Sequence, residues 1–164
     1  MADTPNMQDV KAKVSSLDMP GKLLLFGGLA GLVGTFLSWY SVSFSGGDDN
    51  PIAKAMAINL NHHVQGIDVG EGKLTALACV VAIATLGHSM FASIADAQKA
   101  LYKKIQLGAA ALAVVCAVWF WIDVESPATS DGVSAGFGLG FWISLLGAGA
   151  AAYGAFQRFK APTA

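Results

Sequence analysis

Four long stretches of the chain carry no Asp, Glu, Lys or Arg: Leu23–Gly47, Leu74–Ala95, Ile105–Ile122 and Gly132–Gln157. Crossing about 30 Å of hydrocarbon takes about 20 apolar residues at 1.5 Å each. Apolar residues also occupy every side of these stretches rather than a single stripe, the pattern of helices that face lipid. The predicted spans are 22–40, 73–95, 104–123 and 133–157. A β-barrel would need alternating segments of about ten residues, which these are not.

The polar intervals predict three further elements. Met7, Val10, Val14 and Leu17 recur at spacings of three and four with Gln8, Lys11 and Lys13 between them. This predicts a surface helix within 4–20, started by Thr4-Pro5 and broken by Pro20-Gly21. It either lies on lipid or docks a partner. Ser41–Ser45 alternates polar and apolar residues, and Ala57–Val64 reads as a second strand. Gly46 to Pro51 between them is turn chemistry, so 41–73 is predicted to form a small β-hairpin flap, in two or three strands. The first apolar run begins at Leu23 and is too long for a cleavable signal peptide, so it reads as a retained anchor. The expected fold is an all-α membrane protein: a single domain, 1–164, with a four-helix transmembrane bundle, an extracytoplasmic β-hairpin flap and an N-terminal amphipathic surface helix.

Composition agrees. Of 164 residues, 54% are hydrophobic and 13% charged, against roughly a quarter charged in soluble domains. Net charge is −1, without the cationic excess a nucleic-acid partner requires. Charge distribution sets the orientation. Lys11, Lys13, Lys22, Lys99, Lys103, Lys104, Arg158 and Lys160 lie on one side of the spans, and only Lys54 and Lys73 on the other. The positive-inside rule then places both termini in the cytoplasm and the flap outside a bacterial inner membrane. Trp39, Tyr40, Trp119 and Trp121 mark the outer boundary, where amphipathic rings favour the headgroup zone.

Three segments, Trp39-Tyr40-Ser41-Val42-Ser43, Gly66 to Leu74 and Ser134 to Trp142, resemble those of a loose group of uncharacterised bacterial four-span membrane proteins. Members of this group carry a small outer β-loop after the first helix and a Gly-rich start to the fourth. The resemblance covers about two-thirds of the chain and implies topology, with no activity to carry over. The Asn61-His62-His63 insert falls outside that pattern.

Candidate chemistry is sparse. His62 and His63 are the most metal-like residues, but neighbours on a strand point to opposite faces. Asp48, Asp49, Asp68 or Glu71 would have to complete a site, at spacings that match no known ligand motif. His63 is alternatively a haem or pigment contact. His88, within the second span, is a candidate ligand for haem or a chlorophyll-type pigment, with Gly87 leaving room for a flat macrocycle. It is alternatively a packing hydrogen bonder or part of a proton path. Cys79 and Cys116 fall at similar depth on neighbouring spans, as small hydrophobes or a bridge. The Gly66, Gly70 and Gly72 run lacks the context of a phosphate loop.

No Ser/His/Asp set, paired intramembrane carboxylates or His-Glu-x-x-His motif occurs, and the expectation is a protein without enzymatic activity. Small residues carry the strongest remaining signal. Gly27, Gly31 and Gly34 line the first span, and Gly136, Gly140, Gly147, Ala151 and Gly154 the fourth. Such rows let helix backbones approach closely, within the bundle or against another subunit. The expected function is an accessory or structural subunit of a homo-oligomer or larger membrane complex. The alternatives are a pigment- or haem-contacting subunit of an electron-transfer or photosynthetic complex, and a small channel or transporter.

Overall fold

The computed structural model describes residues 6–44, 62–92, 95–124 and 133–161. In chain order these form α1 (Met7–Ser15), α2 (Met19–Thr35), β1 (Ser38–Phe44), β2 (His62–Gln65), a 3₁₀ turn (Gly66–Asp68), α3 (Gly70–Phe91), α4 (Asp96–Asp123), β3 (Val133–Phe137) and α5 (Leu139–Lys160). The predicted turn at Gly46–Pro51 and the first part of the predicted Ala57–Val64 strand lie outside the described residues.

Three helices are long and apolar enough to cross a membrane: α3, α4 over Gln98–Asp123, and α5. Large apolar side chains such as Leu77, Val80, Leu112, Val115 and Leu146 stand exposed on their outer faces, an arrangement that water penalises and lipid does not. The chain is therefore a multi-pass membrane protein. The predicted first span is shorter than expected, because α2 is an apolar helix of 17 residues that stops at Thr35 rather than Tyr40. Trp39 and Tyr40 instead belong to β1.

Helix starts also differ from expectation. Pro20 does not break a helix; it occupies the first turn of α2, where its missing N–H removes no helical bond. Asp18 caps that turn, accepting from the Gly21 N–H at 3.0 Å. The α1 cap is Asn6 rather than Thr4-Pro5. Its side chain accepts from the Asp9 N–H at 2.9 Å while Asp9 accepts from the Asn6 N–H at 3.3 Å, a reciprocal capping box. The last helix begins at Leu139, and the residues before it form β3.

That third strand turns the predicted hairpin into a three-stranded antiparallel sheet in the order β2-β1-β3. Tyr40 faces Val64 and Ser41 faces His63 on one side of β1, while Tyr40 faces Phe137 and Val42 faces Ala135 on the other. The β1–β2 register slips between Ser38 and Tyr40. The slip leaves Trp39 as an extra residue, and such bulges redirect a side chain.

Beneath the sheet the core runs in three layers. At the sheet end Trp39, Phe120 and Phe141 pack together. Cys79, Ala78, Ala113 and Ala148 fill the middle, and Leu24, Leu86, Ala82, Ala110, Ala151 and Ala155 the basic end. Small residues in the two lower layers let helices approach closely, so that packing substitutes for the hydrophobic drive that lipid cannot supply.

Candidate functional site

The glycine rows set the α2–α5 contact. A Cβ at Gly27 would meet the Ala151 nitrogen at 2.6 Å and the Gly147 carbonyl oxygen at 2.7 Å. One at Gly154 would meet the Pro20 carbonyl oxygen at 2.5 Å, and one at Gly140 the Gly34 carbonyl oxygen at 2.7 Å. The two backbones thus touch from Pro20 to Gly34 on α2 and from Gly154 back to Gly140 on α5. Gly31 sits against Cys79 Sγ and the Ala148 nitrogen. All of these positions face the interior, so they hold the bundle and offer no surface to a neighbour. Gly136 differs: it lies in β3 opposite Ser41, outside any helix.

At the sheet end, Trp39 is fully buried instead of marking the membrane boundary. Its indole Nε1–H donates to the Gly34 carbonyl at 3.1 Å and to Ser144 Oγ at 3.2 Å. Ser144 in turn donates to the Gly31 carbonyl at 3.2 Å. One indole therefore ties β1 to α2 and α5. The rings of Phe120 and Phe141 meet it edge-on at 5.0 and 5.8 Å between centroids, a favoured aromatic geometry. Gly66 packs directly on the indole face, a contact that only a residue without Cβ allows.

His63 is exposed on β2, and among the described residues no three His, Cys, Asp or Glu side chains gather where they would hold a metal. Asp48 and Asp49 lie outside the described residues. His88 is not deep in a span, because α3 ends at Phe91 and His88 falls in its last turn. Its ring lies 5.4 Å from that of Tyr102 on α4. A methyl group on the adjacent Gly87 would meet nothing within 4 Å. Cys79 and Cys116 are buried free thiols. Three threonine hydroxyls are satisfied within their own helices: Thr35 donates to the Leu32 carbonyl, Thr75 to Glu71 and Thr85 to Val81, at 2.6, 2.8 and 2.8 Å.

The basic end is built differently. Helix C-termini present unpaired carbonyls and the negative end of the dipole, and cations answer them. Lys13 Nζ donates to the Met90 carbonyl at the end of α3 and lies 4.5 Å from the Phe91 ring centre. Lys103 Nζ donates to the Ala161 carbonyl past the end of α5 at 2.8 Å. Arg158 Nη1 pairs with Asp18 at 3.0 Å. These contacts fasten α1 to α3 and the start of α2 to the end of α5.

Between α3, α4 and α5 at this end lies a cavity of about 130 Å³, lined by Ser89, Lys99, Tyr102, Lys103, Gln106 and Arg158. Gln106 is 1% exposed, and its Oε1 has no hydrogen-bond partner among the described residues; Arg158 Nε is likewise buried and unpartnered. Sequence reasoning missed this constellation. In the sequence Lys103 and Arg158 read only as orientation charges, and Gln106 is uncharged and so carries no ionisable group. The signal was present, since Gln106 is a polar amide within an otherwise apolar run.

Comparison with models of known protein families and with curated proteins finds no match to the sequence.

Proposed function

We propose that the chain is a four-span protein of the cytoplasmic membrane, with both termini on the cytoplasmic side. It serves as a non-enzymatic structural or accessory subunit that packs against other membrane helices, its own copies or those of a larger complex. The fourth span is α2. Its 17 residues reach about 25 Å, and its contact with α5 from Pro20 to Gly34 supports that reading. The cluster of Lys13, Lys103 and Arg158 at the end opposite the sheet supports the cytoplasmic placement of that end.

The observation that carries the subunit reading is a second set of small residues, turned outward. Gly108 on α4 and Gly149 on α5 are exposed, and a methyl group at either would meet nothing within 4 Å. They stand beside exposed Leu112, Val115, Leu146 and Tyr153. Glycine on a lipid-facing surface contributes no side-chain contact to lipid, but it opens the backbone to a neighbouring helix. Native mass spectrometry of protein released from mild detergent tests the reading. Oligomers or stable hetero-complexes that Gly108→Leu and Gly149→Leu weaken are the expected result. A monodisperse monomer, unaffected by either substitution, would overturn it. Tag accessibility at the two ends tests the topology separately: tags on opposite sides would remove the fourth span.

A further inference from the structure

We propose that the cavity at the basic end is a binding site for the phosphodiester group of an anionic phospholipid. Three cations, Lys99, Lys103 and Arg158, line it together with Tyr102, Ser89 and Gln106, and no carboxylate is among its described lining residues. A cavity of this size holds several water molecules or one phosphate group.

Arg158 and Lys103 are only partly engaged within the chain. Asp18 engages Arg158 through Nη1, which leaves the buried Nε–H without an acceptor. The Lys103 ammonium has three N–H groups and gives one to the Ala161 carbonyl. Gln106 is a second group at the cavity with an unpaired atom. Its side chain is almost wholly buried, it lines the cavity, and its Oε1 is stranded. Buried polar atoms are nearly always paired in native structures. A half-turn about the last side-chain bond exchanges that acceptor for an NH₂ donor. Gln106, Arg158 Nε and Lys103 then supply donors from two helices to one anion, with the Tyr102 and Ser89 hydroxyls beside them.

A free phosphate ion offers the same chemistry. Position favours the lipid: the site lies at the ends of three spans, where headgroups sit, and exposed Leu101, Phe156 and Phe159 on α4 and α5 at the same end suit acyl chains.

Calorimetric titration of the detergent-solubilised full chain separates the sources, using short-chain phosphatidylglycerol, short-chain phosphatidylcholine and inorganic phosphate as probes. Phosphatidylglycerol is expected to bind at least ten-fold tighter than the other two. The double variant Lys103→Gln with Arg158→Gln should lose about thirty-fold, as two cations near a headgroup contribute. Lys104→Gln, exposed on the same helix and outside the cavity, should bind like the unaltered protein. Gln106→Leu keeps every charge and removes the stranded atom, so it should fold at least as well and still lose several-fold in affinity. Unchanged affinity in the double variant or in Gln106→Leu would overturn the site. Equal affinity for inorganic phosphate and phosphatidylglycerol would overturn the lipid as its occupant.

Discussion

The two ends of the bundle solve the same problem in opposite ways. At the sheet end, the largest buried side chain is Trp39, and its single polar atom has two acceptors and a ring of aromatic neighbours. At the basic end, the most buried large polar side chain is Gln106, which ends in an atom with no partner among the described residues, beside a cavity lined with cations. The Trp39 indole is paired within the chain, whereas Gln106 Oε1 and Arg158 Nε have no partner among the described residues. Buried polar groups in native folds are nearly always paired, so the contrast sets a part of the molecule that is satisfied by its own chain against the part where we propose that a ligand binds.

The contrast can be broken most severely by Trp39→Ala. It removes the side chain that joins β1, α2 and α5, and should cost about 3–5 kcal/mol, as large cavities in close-packed cores do. Chemical unfolding in detergent micelles measures it, and a loss below about 1 kcal/mol would show that the sheet end is not the stability centre. Next in size is Gly147→Val, which drives side-chain atoms into the α2 backbone at Gly27 and Gly31. Overpacking of this kind costs about 1–3 kcal/mol. The matched change at outward-facing Gly149 should stay within about 0.5 kcal/mol, and equal effects at the two positions would contradict the assignment of their faces.

The basic end should respond with the opposite sign. Gln106→Leu exchanges a stranded polar atom for an apolar one and is expected to raise stability by about 1 kcal/mol in lipid-free detergent. A net loss there would mean that the amide is satisfied within the chain. A loss of similar size is expected for Asp18→Ala, which removes the α2 cap and the partner of Arg158. The carboxylate is 56% exposed, so the pair itself is worth little and the sum should be about 1 kcal/mol. It should shrink in high salt as the ion-pair part is screened.

Periodicity and charge made the spans legible, because a helix that faces lipid must be apolar on all sides and its ends must collect charges. The sheet end was only half legible. Ser41–Ser45 showed its alternation, but Trp39 read as a residue of the membrane boundary, since burial of an indole depends on acceptors that come from Gly34 and, a hundred residues later, Ser144. The segment before α5 hid its strand for a related reason. Val133–Phe137 is short and glycine-containing, and becomes a strand only because β1 offers it an open edge. The glycine rows were legible as contact surfaces but not as to partner, since sequence spacing puts small residues on a face without saying which neighbour occupies it. The basic cavity was the least legible feature, because its cations double as topology signals and its one diagnostic atom belongs to an uncharged side chain.

The central position of β1 bears on biogenesis. It is synthesised directly after α2, yet one of its two neighbours, β3, is synthesised only after α3 and α4. Until then, one edge of β1 lacks its partner strand. The sheet is therefore completed late, and a chain halted before its final segment would carry an open strand edge, a template for pairing with another chain.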